Sequence, residues 1–196
     1  FNLGRLNITW TEGYQKNSDG TPKLNARDNL VYDHLYSYGS RSVSIWTENA
    51  KQNGLDLVWD SGDHFEQHIA KNHPEIFNFN HEEAGLDNRS DNKGPEPEGV
   101  TVGKIGEKTF AFIGLERVGG VMVYDVSTPT KPIFVQYINS REFKADTNAI
   151  EAGLAGDSGP EGLVFITAKD SPNGQPLLVV GNEVSGSTAI YQVTLK

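Results

Sequence analysis

Cysteine is absent from this 196-residue sequence, which excludes a disulfide framework, a cysteine-based metal site and a thiol nucleophile. Basic residues are also scarce, because 17 Lys and Arg stand against 26 Asp and Glu, leaving a net charge of -9. Nucleic-acid surfaces need clustered cations to neutralise phosphates, so we expect no nucleic-acid partner. No apolar run reaches the roughly 18 residues of a membrane span. The excess of acidic groups suits divalent cations instead.

An acidic pattern occurs twice in the sequence. One copy begins at Gly94-Pro95-Glu96-Pro97-Glu98-Gly99 and the other at Gly159-Pro160-Glu161-Gly162. Further along, Glu116, Gly119 and Tyr124 keep the same mutual spacing as Glu183, Gly186 and Tyr191. Such agreement indicates one supersecondary unit used repeatedly, which must stack on its neighbours to bury its faces.

Each copy divides into short alternating strands joined by turns. In the first copy we predict strands at residues 100–105, 109–115, 120–126 and 133–138. A four-stranded antiparallel repeat is typical of a propeller blade. The sequence therefore predicts an all-β protein with about three four-stranded blades of a larger, seven-bladed β-propeller. The blade-like repeats lie near residues 30–62, 94–140 and 157–196.

The N-terminal half contains a weaker third repeat. Residues 42–46 and 55–59 are predicted to pair as strands around the Asn53-Gly54 turn, with Trp46 in the place of Tyr124 and Tyr191. Residues 63–77 are predicted to form a short helix or an irregular excursion. The second acidic copy has no outer strand, so we expect residues 3–10 to close that blade. The remaining blades would come from another chain or from missing sequence.

With these repeats laid out, the sequence resembles the bacterial choice-of-anchor I family, which consists of large extracellular propellers. The most specific residues behind the resemblance form two blocks, at positions 89–99 and 112–117. The remaining ones are Leu3-Gly4-Arg5-Leu6, Gly39-Ser40-Arg41-Ser42-Val43-Ser44-Ile45-Trp46, Asp60-Ser61-Gly62-Asp63 and Asn182-Glu183-Val184-Ser185-Gly186. The resemblance implies the C-terminal part of a secreted or cell-surface propeller, with an extracellular or periplasmic location. Several family members occur in proteins named as alkaline phosphatases or phytase-like enzymes, which implies phosphoester chemistry.

Carboxylates at equivalent places in the repeats predict a metal site. In a propeller the innermost strand of each blade lines the central axis, which would bring Glu98 and Glu161 to one mouth, joined by Glu116 and Glu183. Asp91 and Asp157 would complete an oxygen-rich set. Calcium takes 6 to 8 oxygen ligands, so we expect Ca²⁺ as the cofactor. The alternative is that each glutamate accepts hydrogen bonds from a neighbouring blade and only locks the repeat.

Cationic residues near the first acidic copy predict a phosphate site. Arg117 follows Glu116, while Arg89 and Lys93 flank Asp91. Guanidinium groups match phosphate oxygens, and a metal-bound water would serve as nucleophile, with Arg117 and Glu98 as catalytic residues acting on a phosphoester substrate. The alternative is that Arg117 pairs with a blade carboxylate, because Val184 replaces it in the second copy.

Other catalytic patterns are missing from the sequence. It has neither a Gly-x-Ser-x-Gly nucleophile elbow, nor a P-loop, nor a dinucleotide fingerprint. His64 and His68 lack the neighbouring glutamate of a metalloprotease helix, and we interpret them as exposed loop histidines. Two functions stay open: a calcium-binding propeller with phosphoesterase activity, and a non-catalytic extracellular binding or scaffolding module.

Overall fold

Strands dominate the regular structure of this chain. The computed structural model describes residues 5–51, 53–81, 85–146, 148–149 and 152–195. The strands are β1 (Ser44–Asn49), β2 (Gly54–Asp60), β3 (Pro97–Ile105), β4 (Lys108–Leu115), β5 (Val121–Asp125), β6 (Ile133–Ile138), β7 (Pro160–Ile166), β8 (Leu177–Asn182) and β9 (Ser187–Gln192). Between β2 and β3 lie one α-helix, α1 (His64–Asn72), and a 3-10 turn, Pro74–Ile76. The predicted all-β class is confirmed.

The strands form three antiparallel sheets. The first sheet contains β1 and β2, the second contains β3 to β6, and the third contains β7 to β9. Within each sheet, strands adjacent in sequence are adjacent in space, as expected when short turns connect them. The predicted hairpin around Asn53-Gly54 and the four strands of the first acidic copy are therefore confirmed.

The second sheet is the middle layer of the molecule and is packed on both faces. Because successive residues of a strand point to opposite faces, its strands contribute side chains to two cores. Ala111, Ile113 and Leu115 of β4 face a core shared with α1, where Phe65 and Ile69 are fully buried. Each of these two helix side chains contributes roughly 1.5–3 kcal/mol through burial. Their spacing of four residues places them on the same side of α1, which explains why the helix lies against the sheet.

The opposite face of the second sheet packs on the third sheet. Phe112 of β4 stacks on Phe165 of β7, with ring centroids 5.7 Å apart. The approach is close at Gly103 of β3, where an added Cβ would lie 2.4 Å from the Phe165 ring. Leu178 and Val180 of β8 complete this second core. The third sheet therefore turns towards the second sheet the same face that the second sheet turns towards α1, so the two sheets stack in the same orientation.

The N-terminal segment lies elsewhere than expected. The prediction that residues 3–10 close the second acidic copy is wrong for the part of that segment the structure describes. The Asn7 amide donates to the Asp91 carbonyl at 2.7 Å, and the Thr9 amide donates to Tyr36 at 2.9 Å. These bonds hold the segment beside residues 36–37 and 91. Residues 1–4 lie outside the described residues.

Helix α1 is short, with only nine residues. Among the described residues, no helix has the length and apolar character required to cross a membrane.

Candidate metal centre

The two acidic copies place their later glutamates by the same backbone geometry. Glu116 directly follows β4, and its amide donates to the Glu96 carbonyl at 2.8 Å. Glu183 directly follows β8, and its amide donates to the Gly159 carbonyl, also at 2.8 Å. The structural equivalence inferred from spacing therefore extends to individual hydrogen bonds.

Carboxylates from both copies meet in one cluster, together with a histidine that the sequence analysis did not select. Ligand atoms of His81, Glu116 and Glu183 all lie within 4.8 Å of one another. Nδ1 of His81 is 3.3 Å from Oε1 of Glu116. The carboxyl group of Glu98 is also close enough to Glu116 to affect its ionisation. We call Glu98, Glu116 and Glu183 the carboxylate cluster.

Burial distinguishes the members of the carboxylate cluster. Glu116 is only 4% exposed, whereas Glu98 and Glu183 are exposed. Burial raises the pKa of Glu116 to about 7, assisted by the neighbouring carboxyls of Glu98 and Glu183 and opposed by Arg117. Ionising all three groups together is unfavourable without a further cation.

A second glutamate, Glu96, organises the cationic residues beside this cluster. It is 3% exposed and accepts from Nε of Arg117 at 2.6 Å and from Arg89 at 3.0 Å. Lys93 also contacts its carboxylate. The three residues predicted to bind phosphate therefore converge on one buried carboxylate. The contact of Arg117 with Glu96 is the one described by the alternative in which Arg117 pairs with a blade carboxylate. Phosphate binding by these three residues stays a prediction.

Glu96 occupies an unusual backbone conformation. Its φ is +58°, in the left-handed region, where a residue with a Cβ costs roughly 1–2 kcal/mol. The equivalent position in the second copy is Gly159, with a φ of +75°. The first copy thus places a side chain where the second has glycine. The signal that would have found Glu96 is this alignment of a glutamate against a left-handed glycine.

Arg117 connects the two glutamates to His81. One terminal nitrogen is 3.2 Å from Oε1 of Glu116, and the other donates to Nδ1 of His81 at 2.9 Å. Arg141, a second residue that the sequence analysis missed, donates to the Arg117 carbonyl at 3.0 Å. The ring nitrogens of His81 consequently face a guanidinium group.

The remaining predicted ligands lie outside the described contacts of the carboxylate cluster. Glu161 is exposed at the start of β7, and its backbone approaches Gly99. Asp157 accepts hydrogen bonds from Ser140 at 2.7 Å and from Ser187 at 2.6 Å. Asp91 is 3.9 Å from a guanidinium nitrogen of Arg5. Their roles as metal ligands stay predictions.

The two histidines interpreted as exposed loop residues are on helix α1 instead. His64 is half-buried, and Nδ1 lies 2.5 Å from the Tyr124 hydroxyl. The His68 ring lies 4.6 Å from that of Phe134. Burial lowers the pKa of both side chains. The loop interpretation is wrong because both histidines are part of a helix. Phe65 and Ile69, four positions apart, pack this helix against the second sheet, which brings both histidines close to that sheet.

The donor atoms of the cluster fit a hard cation. Three carboxylates offer six oxygens, which suits the coordination number of Ca²⁺, and backbone carbonyls and water supply further oxygens in such sites. Zinc favours imidazole nitrogen ligands, but the ring nitrogens of His81 contact Arg117. Burial is the main cause of the raised pKa of Glu116, and a cation at this position would offset both that burial of charge and the repulsion from Glu98.

Comparison with known proteins finds a matching domain family and related proteins. The model of the choice-of-anchor I domain matches residues 2–129. The chain is 30% identical over 199 residues to Gigasin-3a of Magallana gigas, covering 97% of this chain and 64% of the relative. It is 25% identical over 177 residues to the mesenchyme-specific cell surface glycoprotein of Strongylocentrotus purpuratus, covering 85% of this chain and 23% of the relative. The chain thus spans less than two thirds of each of these relatives. No solved structure matches significantly.

Proposed function

Because the chain belongs to the choice-of-anchor I domain family, we propose that it is a non-catalytic extracellular module of a β-propeller, organised by calcium. In this proposal Glu98, Glu116 and Glu183 bind one Ca²⁺ and join the second and third sheets. The supporting observation is the position of buried Glu116 beside Glu183 from the other acidic copy. A cation between them would tie two stacked repeats together.

The extracellular assignment is supported by the relatives. One of them is named as a cell surface glycoprotein, and the choice-of-anchor I family itself is of an extracellular type. An extracellular location also suits calcium chemistry, because extracellular modules use calcium sites with dissociation constants of about 10⁻⁴–10⁻³ M. We therefore expect a calcium affinity in this range.

The propeller assignment is supported by the way the sheets stack. Tyr124 of the second sheet is 3% exposed, whereas Trp46, its predicted equivalent in the first sheet, is 52% exposed. At the other end of the stack, Ile190 of the third sheet is exposed. Apolar faces at both ends are expected for a stack that continues in both directions. The additional sheets would come from another chain or from a longer protein.

The non-catalytic assignment is supported by the environment of Arg117. A phosphate-binding arginine needs N–H groups directed at the substrate, but Arg117 donates to Glu96 and His81 and contacts Glu116. Arg89 and Lys93 are also engaged by Glu96. Phosphoester hydrolysis stays the alternative function, and a turnover assay separates it from the proposal.

Calcium titration tests the proposal directly. We expect the protein to bind one Ca²⁺ by calorimetry, and its melting temperature to rise with calcium concentration as mass action requires. Glu116→Gln removes the central ligand charge and should weaken binding at least tenfold. Glu107→Gln removes an equal charge from the exposed turn after β3 and should leave the affinity unchanged. Equal binding by the Glu116→Gln and Glu107→Gln variants would exclude the carboxylate cluster as the site.

Turnover measurements test the alternative function. The calcium-loaded protein is assayed on a panel of phosphomonoesters and phosphodiesters, before and after chelation. We expect no turnover above that of the chelated sample. Chelator-sensitive turnover that Arg117→Ala abolishes, while the fold is retained, would establish the phosphoesterase instead.

A further inference from the structure

Helix α1 carries a pair of histidines that has no part in the carboxylate cluster. His64 and His68 are four positions apart on this helix, and both side chains are half-buried. Residues at this spacing are neighbours on one side of a helix, with Cβ atoms about 5–6 Å apart. The two rings accordingly lie side by side, with centroids 6.0 Å apart and planes inclined by 44°. Helices that bind zinc use two histidines at the same spacing.

One nitrogen of each ring is engaged by a neighbouring side chain. Nδ1 of His64 lies 2.5 Å from the Tyr124 hydroxyl, and Nδ1 of His68 lies 3.3 Å from the side-chain amide of Asn72. Within the described part of the chain, no hydrogen bond engages Nε2 of either ring. A hydrogen bond at one ring nitrogen orients the ring and leaves the other nitrogen for a metal, which is the usual arrangement around histidine ligands.

The protonation of these groups suits a metal at neutral pH. Ligation requires a neutral imidazole, and burial lowers the pKa of both His64 and His68. Burial also raises the pKa of Tyr124, so its hydroxyl stays neutral and its oxygen can accept from Nδ1–H of His64. Of the charged neighbours, Asp63 beside His64 favours a bound cation, whereas Lys71 opposes one.

The donor atoms distinguish this pair from the carboxylate cluster. Imidazole nitrogens suit Zn²⁺, Cu²⁺ and Ni²⁺, whereas carboxylate and carbonyl oxygens suit Ca²⁺. We propose that Nε2 of His64 and Nε2 of His68 chelate one divalent transition-metal ion, with water at its remaining positions. The ion joins adjacent turns of α1 and binds without calcium, so this inference goes beyond the proposed function and does not depend on it.

A third imidazole, that of His73, provides a matched comparison. Its ring lies 6.1 Å from the ring of His68, almost as close as the ring of His64. His73 follows the last residue of α1 and has a φ of -142°, outside the helical region. The regular helix fixes the spacing of His64 and His68 but not that of His73. We therefore assign the chelate to the pair within the helix.

Zinc titration in saturating calcium tests this assignment. By calorimetry we expect one Zn²⁺ per chain, and at least tenfold weaker binding for His64→Gln and for His68→Gln. His73→Gln should keep the zinc affinity within about threefold of the parent value, as should His34→Gln on the exposed N-terminal segment. Melting temperatures in chelator establish that each variant is folded.

Electron paramagnetic resonance identifies the ligands without a substitution. With one equivalent of Cu²⁺ bound to the parent protein, we expect hyperfine structure from two equivalent imidazole nitrogens. Copper prefers such nitrogen and oxygen ligands in a tetragonal arrangement. A spectrum with oxygen ligands alone would exclude the histidine pair.

Three zinc results would also overturn this inference. Equal affinity of the parent and His68→Gln would show that the pair is not the site. Loss of zinc binding in Glu116→Gln would assign the ion to the carboxylate cluster. An effect of His73→Gln as large as that of His64→Gln would move the site to the end of α1. Calcium titration of His68→Gln keeps the two proposals apart, because this variant should have the calcium affinity of the parent, whatever that value is.

Discussion

The second and third sheets are built from the same acidic repeat, yet within the described part of the chain only the second is covered on both faces. Val123 of β5 is 4% exposed, whereas its equivalent in β9, Ile190, is 63% exposed. The two sheets also differ at the turn before their first strand, where Glu96 in one copy corresponds to Gly159 in the other. The comparison indicates that the repeat determines the backbone fold of both sheets. The neighbouring layers and single side chains determine how deeply each sheet is buried.

The largest expected effect comes from replacing Glu96 with glycine, which is the residue at the equivalent position of the other acidic copy. Glu96→Gly removes the strain of a left-handed glutamate, which is a gain of roughly 1–2 kcal/mol. It also leaves Arg89, Lys93 and Arg117 without their shared buried carboxylate, and breaking a buried ion pair typically costs about 3–5 kcal/mol. We therefore expect a net loss of about 1–4 kcal/mol, measured by urea unfolding in calcium-free buffer.

The control for this variant is Glu107→Gln, which changes the net charge equally in an exposed turn. Its free energy of unfolding should stay within about 0.5 kcal/mol of the parent value. If Glu96→Gly proved as stable as the parent, the ion pairs around Glu96 would be contributing no more than the backbone strain they require.

An intermediate effect is expected where the two sheets differ in burial. Val123→Ala deletes two methyl groups from the core between the sheets and should destabilise the protein by about 2 kcal/mol, from transfer and cavity terms together. Ile190→Ala deletes more atoms at the equivalent exposed position and should change stability by less than about 0.5 kcal/mol. Chemical denaturation of both variants checks the contrast.

Similar losses for Val123→Ala and Ile190→Ala would contradict this contrast. They would mean that Ile190 is buried in solution, for example by self-association on the open face of the third sheet. Sedimentation velocity on the same samples distinguishes that case, because a covered face requires a partner molecule at the concentrations used.

Much of this comparison was predictable from the sequence, because the period-2 pattern and the spacing of Glu116, Gly119 and Tyr124 are local signals. The strands and the pairing of Glu116 with Glu183 followed from them. Glu96 and His81 were missed because their roles depend on tertiary contacts: His81 belongs to no repeat, and Glu96 acquires its role through its contacts with Arg89, Lys93 and Arg117. The position of residues 5–10 was mispredicted because alternation identifies a strand-like segment but not its partner.

The smallest expected effect is a pH dependence confined to the layer that covers the second sheet. Burial lowers the pKa of His64 and of His68, and for His68 the nearby His64, His73 and Lys71 lower it further. Since both pKa values are lower in the folded protein, protonation favours unfolding. The stability they contribute is present above the unfolded-state pKa of about 6.5 and is lost as the pH falls below it.

Glu116 has the opposite dependence, so it must be removed from the measurement. Its pKa is raised to about 7 in the folded protein, and the stability linked to that shift is present below its unfolded pKa and is lost as pH rises through about 7. In a Glu116→Gln background, we expect the free energy of unfolding to fall between about pH 7.5 and pH 5.5. Adding His68→Gln should flatten that slope, since it removes one of the two groups that become protonated on unfolding. An unchanged slope would assign the dependence to groups other than His68, and the contact of His68 with Phe134 would then be one of packing alone.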